Sequence, residues 1–176
     1  MSGPEDGADN RLLLLLDPAF SSGDGEQDVP VEAVLGAWLV DEVGEPSRFH
    51  PNPWYRPGSS DSPLDPVDAV LRALAKGDDV ADHLPVVLRD AVLGIATDDA
   101  GTAVVRPAPD GVPSVQVTTS YGHRVGFGED VRWLDVTVEE LAEALPPRGV
   151  DVQLNPGSPA SMRLVAEAVR ALAEEA

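Results

Sequence analysis

The chain has no cysteine, which excludes disulfides, thiolate zinc sites and a cysteine nucleophile together. Histidine is nearly as scarce. His50, His83 and His123 are the only three, widely spaced, so no metal centre or other cofactor site is expected. Long apolar runs are missing as well. The longest, Leu12–Leu16, is far short of the ~20 residues that a membrane helix needs. The acidic stretch before it does not suit a signal peptide, which wants a positive start and a longer core. The run reads as a fully buried strand, and the chain as cytoplasmic with no membrane insertion.

Basic residues are few: 12 Lys and Arg stand against 31 Asp and Glu, for a net charge of −19. Binding to nucleic acid or anionic lipid depends on Lys and Arg neutralising phosphates, so neither is an expected partner. Cationic protein surfaces are the natural electrostatic complement. What the chain does have is apolar content, 43% of its 176 residues. One domain, or two small halves, of that length buries roughly 70% of its unfolded surface.

Residues 1–10 are polar and acidic and read as a disordered tail. "SSGDGEQD" (21–28) reads as a solvated acidic loop, because the alternating ligands and closing Glu of a calcium loop are missing. "VLGAWLVDEVGEPSRFHPNP" (34–53) and "VLGIATDDAGTAVVRPAP" (92–109) then match with a residue or two of slack. Each is an apolar strand, an acidic turn with glycine (Asp41, Glu42, Gly44; Asp98, Asp99, Gly101), a second strand and Pro-x-Pro. They read as two copies of one hairpin.

Between them, Asp65 is an N-cap, Pro66 a first helical residue and Gly77 a stop. Val67, Val70, Leu71 and Leu74 form the apolar face of the helix so bounded. A second short helix is expected over 82–91. Strands are expected at 114–120, 132–136 and 150–155, with "YGHRVGFGED" (121–130) as a loop. Thr137 and Glu140 form a capping box for a helix over 137–145. The last helix is expected at about 159–174, with Arg163–Glu167 and Arg170–Glu174 pairs on its outer face. The sum is an α+β fold: a mostly antiparallel sheet, helices on one side, and two related hairpin-containing halves at 11–80 and 81–176.

Two stretches are candidate sites. In "NPGSP" (155–159), Pro156 and Gly157 suit the centre of a type II turn, and Ser158-Pro159 suits an N-cap and first helical position. An anion has Asn155, Gly157, Ser158 and Arg163 available there, since the first N–H groups of a helix lack partners. No lysine lies near, so this is not a P-loop, and a structural turn is the simpler reading. "RFHPNPWYRP" (48–57) is the most basic patch in the chain. Trp, Tyr and Arg dominate protein–protein hot spots, which nominates Arg48, His50, Asn52, Trp54, Tyr55 and Arg56 as a partner-binding surface. The alternative folds Phe49 and Trp54 back onto the core. No catalytic set assembles: Ser120 and His123 lack a nucleophile-elbow motif, and the paired carboxylates lie in turns, so no enzyme is expected.

"LLLLLDPAF", "GAWLVDEVGEPSRFHPNPWYRP", "DPVDAVLRALAKG", "RPAPDGVPSVQVTTS" and "VDVQLNPGSPASMRL" together resemble the actinobacterial type VII secretion system-associated proteins. The C-terminal half resembles the SseB-like (enhanced serine sensitivity) domain, in which a Phe-Thr-Ser strand end and a Leu-Asn-Pro-Gly precede a helix. Here Thr118-Thr119-Ser120 replaces Phe-Thr-Ser. The resemblance, over about residues 12–170, implies an α+β domain, a cytosolic location and a gene setting near a specialised secretion machine, with no established catalysis. Its implied partner is a protein, either a secretion component or, in the competing reading, a toxin that this chain neutralises. A small-molecule or anion-binding module is the third reading.

Overall fold

Local signals set the first helix, α1 (Pro66–Lys76). The Asp65 side chain accepts from the Asp68 N–H, Pro66 fills the first turn, and Gly77 ends the helix at φ +90°. These are the satisfactions that unpaired N-terminal donors and C-terminal carbonyls require. The second helix, α2 (His83–Arg89), carries Pro85 in its first turn, where a missing N–H is harmless. The third, α3 (Val138–Ala144), starts on the reciprocal bonds of Thr137 and Glu140.

A computed structural model of the chain describes residues 11–20, 28–40, 44 and 46–174, with side chains from residue 49 onward in the last range. The tail 1–10, most of the acidic loop 21–28, and Asp41 and Glu42 lie outside the described residues. The chain divides into two compact units, residues 1–62 and 63–176. Sequence placed the boundary at 80/81, but α1 packs on α2 and so belongs to the second unit.

The first unit is a three-stranded antiparallel meander of β1 (Arg11–Leu16), β2 (Val34–Val40) and β3 (Pro46–Pro51). Leu35 and Phe49 are buried, and Trp38 tilts against Phe49 with centroids 4.7 Å apart. β1 forms as expected but is not buried. It is an edge strand, and Leu12, Leu13 and Leu14 are 62%, 53% and 43% exposed. A run without alternation signals burial on both faces, and a three-stranded sheet does not supply the covering layers.

The second unit holds β4 (Leu93–Thr97), β5 (Val105–Pro107), β6 (Pro113–Thr118), β7 (Arg132–Val136), β8 (Asp151–Leu154), β9 (Met162–Leu164) and α4 (Ala166–Glu174), besides α1 to α3. The sheet order is β7-β4-β6-β8-β9, with β5 also on β6. Only β6 and β8 pair in parallel. The fold is therefore α+β with mostly antiparallel strands. Leu71, Leu88, Leu93, Val117, Leu141, Val152 and Val169 are among its fully buried side chains.

The matched segments differ in topology. β2 and β3 pair antiparallel as consecutive strands. β4 instead makes one bridge, Thr97 to Ala103, short of β5, and both strands pair with β6. The Asp98 carboxylate accepts from the Ala100 and Thr102 N–H groups, tightening the turn into a kink between in-line strands. Shared turn chemistry, not shared pairing, carries the sequence match.

The last helix starts at Ala166, not near 159. Asn155–Ser158 is a turn closed by Ser158 N–H to the Asn155 carbonyl at 3.0 Å, with Gly157 at φ +82°. A second turn comes next, Ser161 N–H to the Ser158 carbonyl, and then β9 pairs with β8. The expected Arg–Glu pairs do not form the outer face. Arg163 lies on β9 between Asp110 and Asp151, and Arg170 donates to the Pro146 carbonyl.

Candidate functional site

In the first unit, residues 50–58 leave β3 on a path fixed by one side chain. The Asn52 carboxamide donates to the carbonyls of Val31 and Val34 at 2.6 and 2.7 Å, and its oxygen accepts from the Trp54 N–H at 3.1 Å. The Asn52 N–H donates to the Leu35 carbonyl, and the Arg56 N–H to the Glu32 carbonyl. Asn52 is thus committed to the fold, and its place in a binding surface is corrected to that of a strut. Tyr55 reaches inward, its hydroxyl donating to Asp17 at 3.2 Å. Asp17 also accepts from the Ala19 and Gly58 N–H groups. Burial pushes the Asp17 carboxyl up, but these bonds, with those of Ser62 and Tyr55, outweigh it and hold it below the usual range.

The same path leaves Trp54 66% exposed, with His50 and Arg56 exposed near it in sequence. Phe49 is buried, so the fold-back alternative holds for Phe49 and not for Trp54. The Arg48 side chain lies outside the described residues.

In the second unit, the four residues named for an anion do not converge. Asn155 is fully buried at φ +46°, its amide donating to Thr119 Oγ1 and its oxygen accepting from the Thr119 N–H, both at 2.9 Å. Ser158 Oγ accepts from the Ala160 N–H. Arg163 Nε donates to Asp110 at 2.7 Å, and Asp151 takes the other arm of the fork. That pairing lowers the Asp110 carboxyl and raises the Arg163 guanidinium. With no helix starting at Pro159, the free N–H groups that motivated the site are absent too.

A different cluster forms where the start of α1 meets the end of β6. Asp65 accepts from Thr119 Oγ1 at 2.7 Å and from the Asp68 N–H at 2.9 Å. Asp68, fully buried, accepts from the Leu64 N–H and from Arg72 Nε, both at 2.9 Å. The Nε2 of buried His123 sits 3.7 Å from both carboxylates and makes no hydrogen bond. Burial drives the Asp65 carboxyl up, and the adjacent Asp68 charge adds to the rise against opposing bonds from Thr119 and Asp68 N–H. Beside this cluster a cleft of about 540 Å³ opens, its lining including Arg72, Gln116, His123, Phe127 and Pro156 to Pro159. The sequence nominates His123 only as a triad member. Its neighbours are two acids from a helix start 55 residues upstream, and no local spacing reveals that.

Among the described residues no group of three His, Asp or Glu is placed to hold a metal ion, and no helix is long and apolar enough to cross a membrane. Comparison with protein-family models, curated proteins and solved structures returns no match for this chain.

Proposed function

We propose that this chain is a non-enzymatic accessory protein that acts by binding another protein through its Trp54 segment. One observation carries the reading: a large aromatic side chain stands two-thirds exposed on backbone that a dedicated carboxamide holds in place. Trp is highly buried on average, and an exposed, pre-positioned Trp beside Arg is the composition of an interface hot spot. A fixed loop also loses little conformational freedom on binding. The contact set is Trp54, Arg56 and His50. Asn52 and Tyr55 support them from within.

The type VII secretion setting and the cytosolic location rest on the resemblance of "RFHPNPWYRP" and "QLNPGSPASMRL" to the proteins associated with that machine. The −19 charge favours a partner of positive net charge, with acidic groups where it meets Arg56 and His50 around Trp54. Affinity capture of the full chain from the cytosol of its source cells, read by mass spectrometry, tests this. A secretion component retained by wild type and lost by Trp54→Ala/Arg56→Ala supports the proposal. A single stoichiometric toxin lost in the same way supports immunity instead. Prey that ignore the substitution overturn the proposed surface.

A further inference from the structure

We propose that the cleft of the second unit binds a small organic anion, a carboxylate or phosphate monoester carried on an apolar body. The first ground is charge. The chain holds 31 acidic residues in 176, yet the cleft wall has Arg72, Arg106 and His123 and no Asp or Glu. A strongly acidic protein here turns a basic face to an open cleft. Such concavities focus field and select for anions. Arg72 shares its charge with Asp68, whereas Arg106 makes no ion pair among the described residues. It lies over the Phe127 ring, 5.8 Å from guanidinium to centroid, which orients the guanidinium without neutralising it.

The second ground is buried polarity at the wall. His123 is only 8% exposed and Gln116 only 4%, and both face the cleft. His123 Nε2 is without a hydrogen-bond partner. Gln116 spends its amide on the Ser114 carbonyl, two residues away on its own strand. Burying an imidazole nitrogen that makes no hydrogen bond is unfavourable. The Asp65 and Asp68 carboxylates stand 3.7 Å from Nε2, beyond hydrogen-bond reach, and a ligand acceptor oxygen in the cleft would give it a partner.

The third ground is the rest of the wall. Leu64, Phe127, Pro156 and Pro159 supply apolar surface. Apolar and polar groups converging on a cleft of about 540 Å³ fall within the roughly 300–1,000 Å³ range of small-molecule sites. The ligand therefore needs a body as well as a charge. The NPGSP turn contributes as a wall and not as an anion cradle, and Arg163 has no part.

Benzoate and phenyl phosphate are suitable probes, titrated into the full chain and followed by amide NMR and calorimetry. Saturable shifts confined to Gly122, Gly126 and Gly157 are expected, with Kd below about 1 mM. Benzamide, the uncharged isostere of benzoate, should bind at least roughly tenfold more weakly, as should either anion to Arg106→Gln. Arg106→Lys should retain most of the affinity, and Arg89→Gln, on exposed α2 surface, all of it. The proposal is overturned by the absence of a saturable shift up to about 10 mM. Equal binding of benzamide, or undiminished binding to Arg106→Gln, overturns the charge argument. Inorganic phosphate binding as tightly as phenyl phosphate overturns the apolar body.

Discussion

Asn155 offers the sharpest test of how the second unit is held together. It is the one non-glycine residue at positive φ among those described, and it is fully buried. Replacing it with Ala removes the acceptor of the Thr119 N–H and the donor to Thr119 Oγ1, each now at 2.9 Å. A stranded buried donor costs about 1–3 kcal/mol, and the lost donation to the hydroxyl about 1 kcal/mol more. Ala at a left-handed position adds roughly 1 kcal/mol, because its Cβ crowds the next carbonyl where Asn is better tolerated. The sum is about 3–5 kcal/mol, a large share of the ~5–15 kcal/mol that holds a typical domain. Asn155→Gly loses the same bonds without the left-handed strain, so it should be milder than Ala by about 1 kcal/mol. Urea unfolding, monitored by circular dichroism and by exchange protection of the Val117 and Leu154 amides, measures both. At a slope of about 2 kcal/mol/M the Ala midpoint should fall by about 2 M. A shift under about 0.5 M, or Gly falling below Ala, would refute the assignment of Asn155 as the clamp between β6 and β8.

Asp65→Asn removes a carboxyl whose native value is raised, so its protonated form is the one the fold prefers. Its stabilising contribution is complete below the unfolded value of 3.8 and is lost as pH rises through the native one. The stability of the Asn variant relative to wild type should therefore rise between acid and neutral pH, and a flat difference would contradict the burial of that charge. Gly36→Ala should be severe, since a Cβ there would meet the Phe49 ring and stand 2.5 Å from the His50 carbonyl oxygen. A thermal melt unchanged by that substitution would show the β2–β3 contact to be looser than described. Tyr55→Phe should cost about 1 kcal/mol by loss of the hydroxyl bond to Asp17, and an unchanged melting temperature would place the ring outside the fold.

Local chemistry is the legible part of the sequence. Asp65, Pro66 and Gly77 mark α1 to the residue, and the Thr137–Glu140 box marks the start of α3, because caps satisfy groups within one turn. Pro156 and Gly157 likewise announce the NPGSP turn. The segment after that turn is misleading. Ser158-Pro159 has the residues of a helix start, but Met162–Leu164 finds a strand partner in Val152–Leu154, and pairing with a neighbour overrides a weak local preference. Leu12–Leu16 is legible as a strand and not as an exposed one, since hydrophobicity alone does not say how many layers a sheet will have.

The two sites divide along the same line. Trp54, Tyr55 and Arg56 are consecutive, and composition alone singles them out. The structure then separates them, sending Tyr55 inward to Asp17 and leaving Trp54 outside. The cleft draws on a helix, two strands and three connecting segments between residues 64 and 159, so no window of the sequence contains it. Its acidic neighbours are visible in the sequence only as a helix cap and a first-turn charge. Their second role, as neighbours of His123, depends on β6 ending beneath α1.

An exposed Trp on a fixed loop is what makes this chain a binding protein in the function proposed above. The direct measurement is the affinity of the captured partner for wild type and for Trp54→Ala/Arg56→Ala at equal folded concentration, with both melts recorded. Truncating a hot-spot Trp costs ~2 kcal/mol or more, so Kd should rise at least about thirtyfold. Because neither residue is packed in the core, the melting temperature should stay within a few degrees. An unchanged Kd would contradict the account.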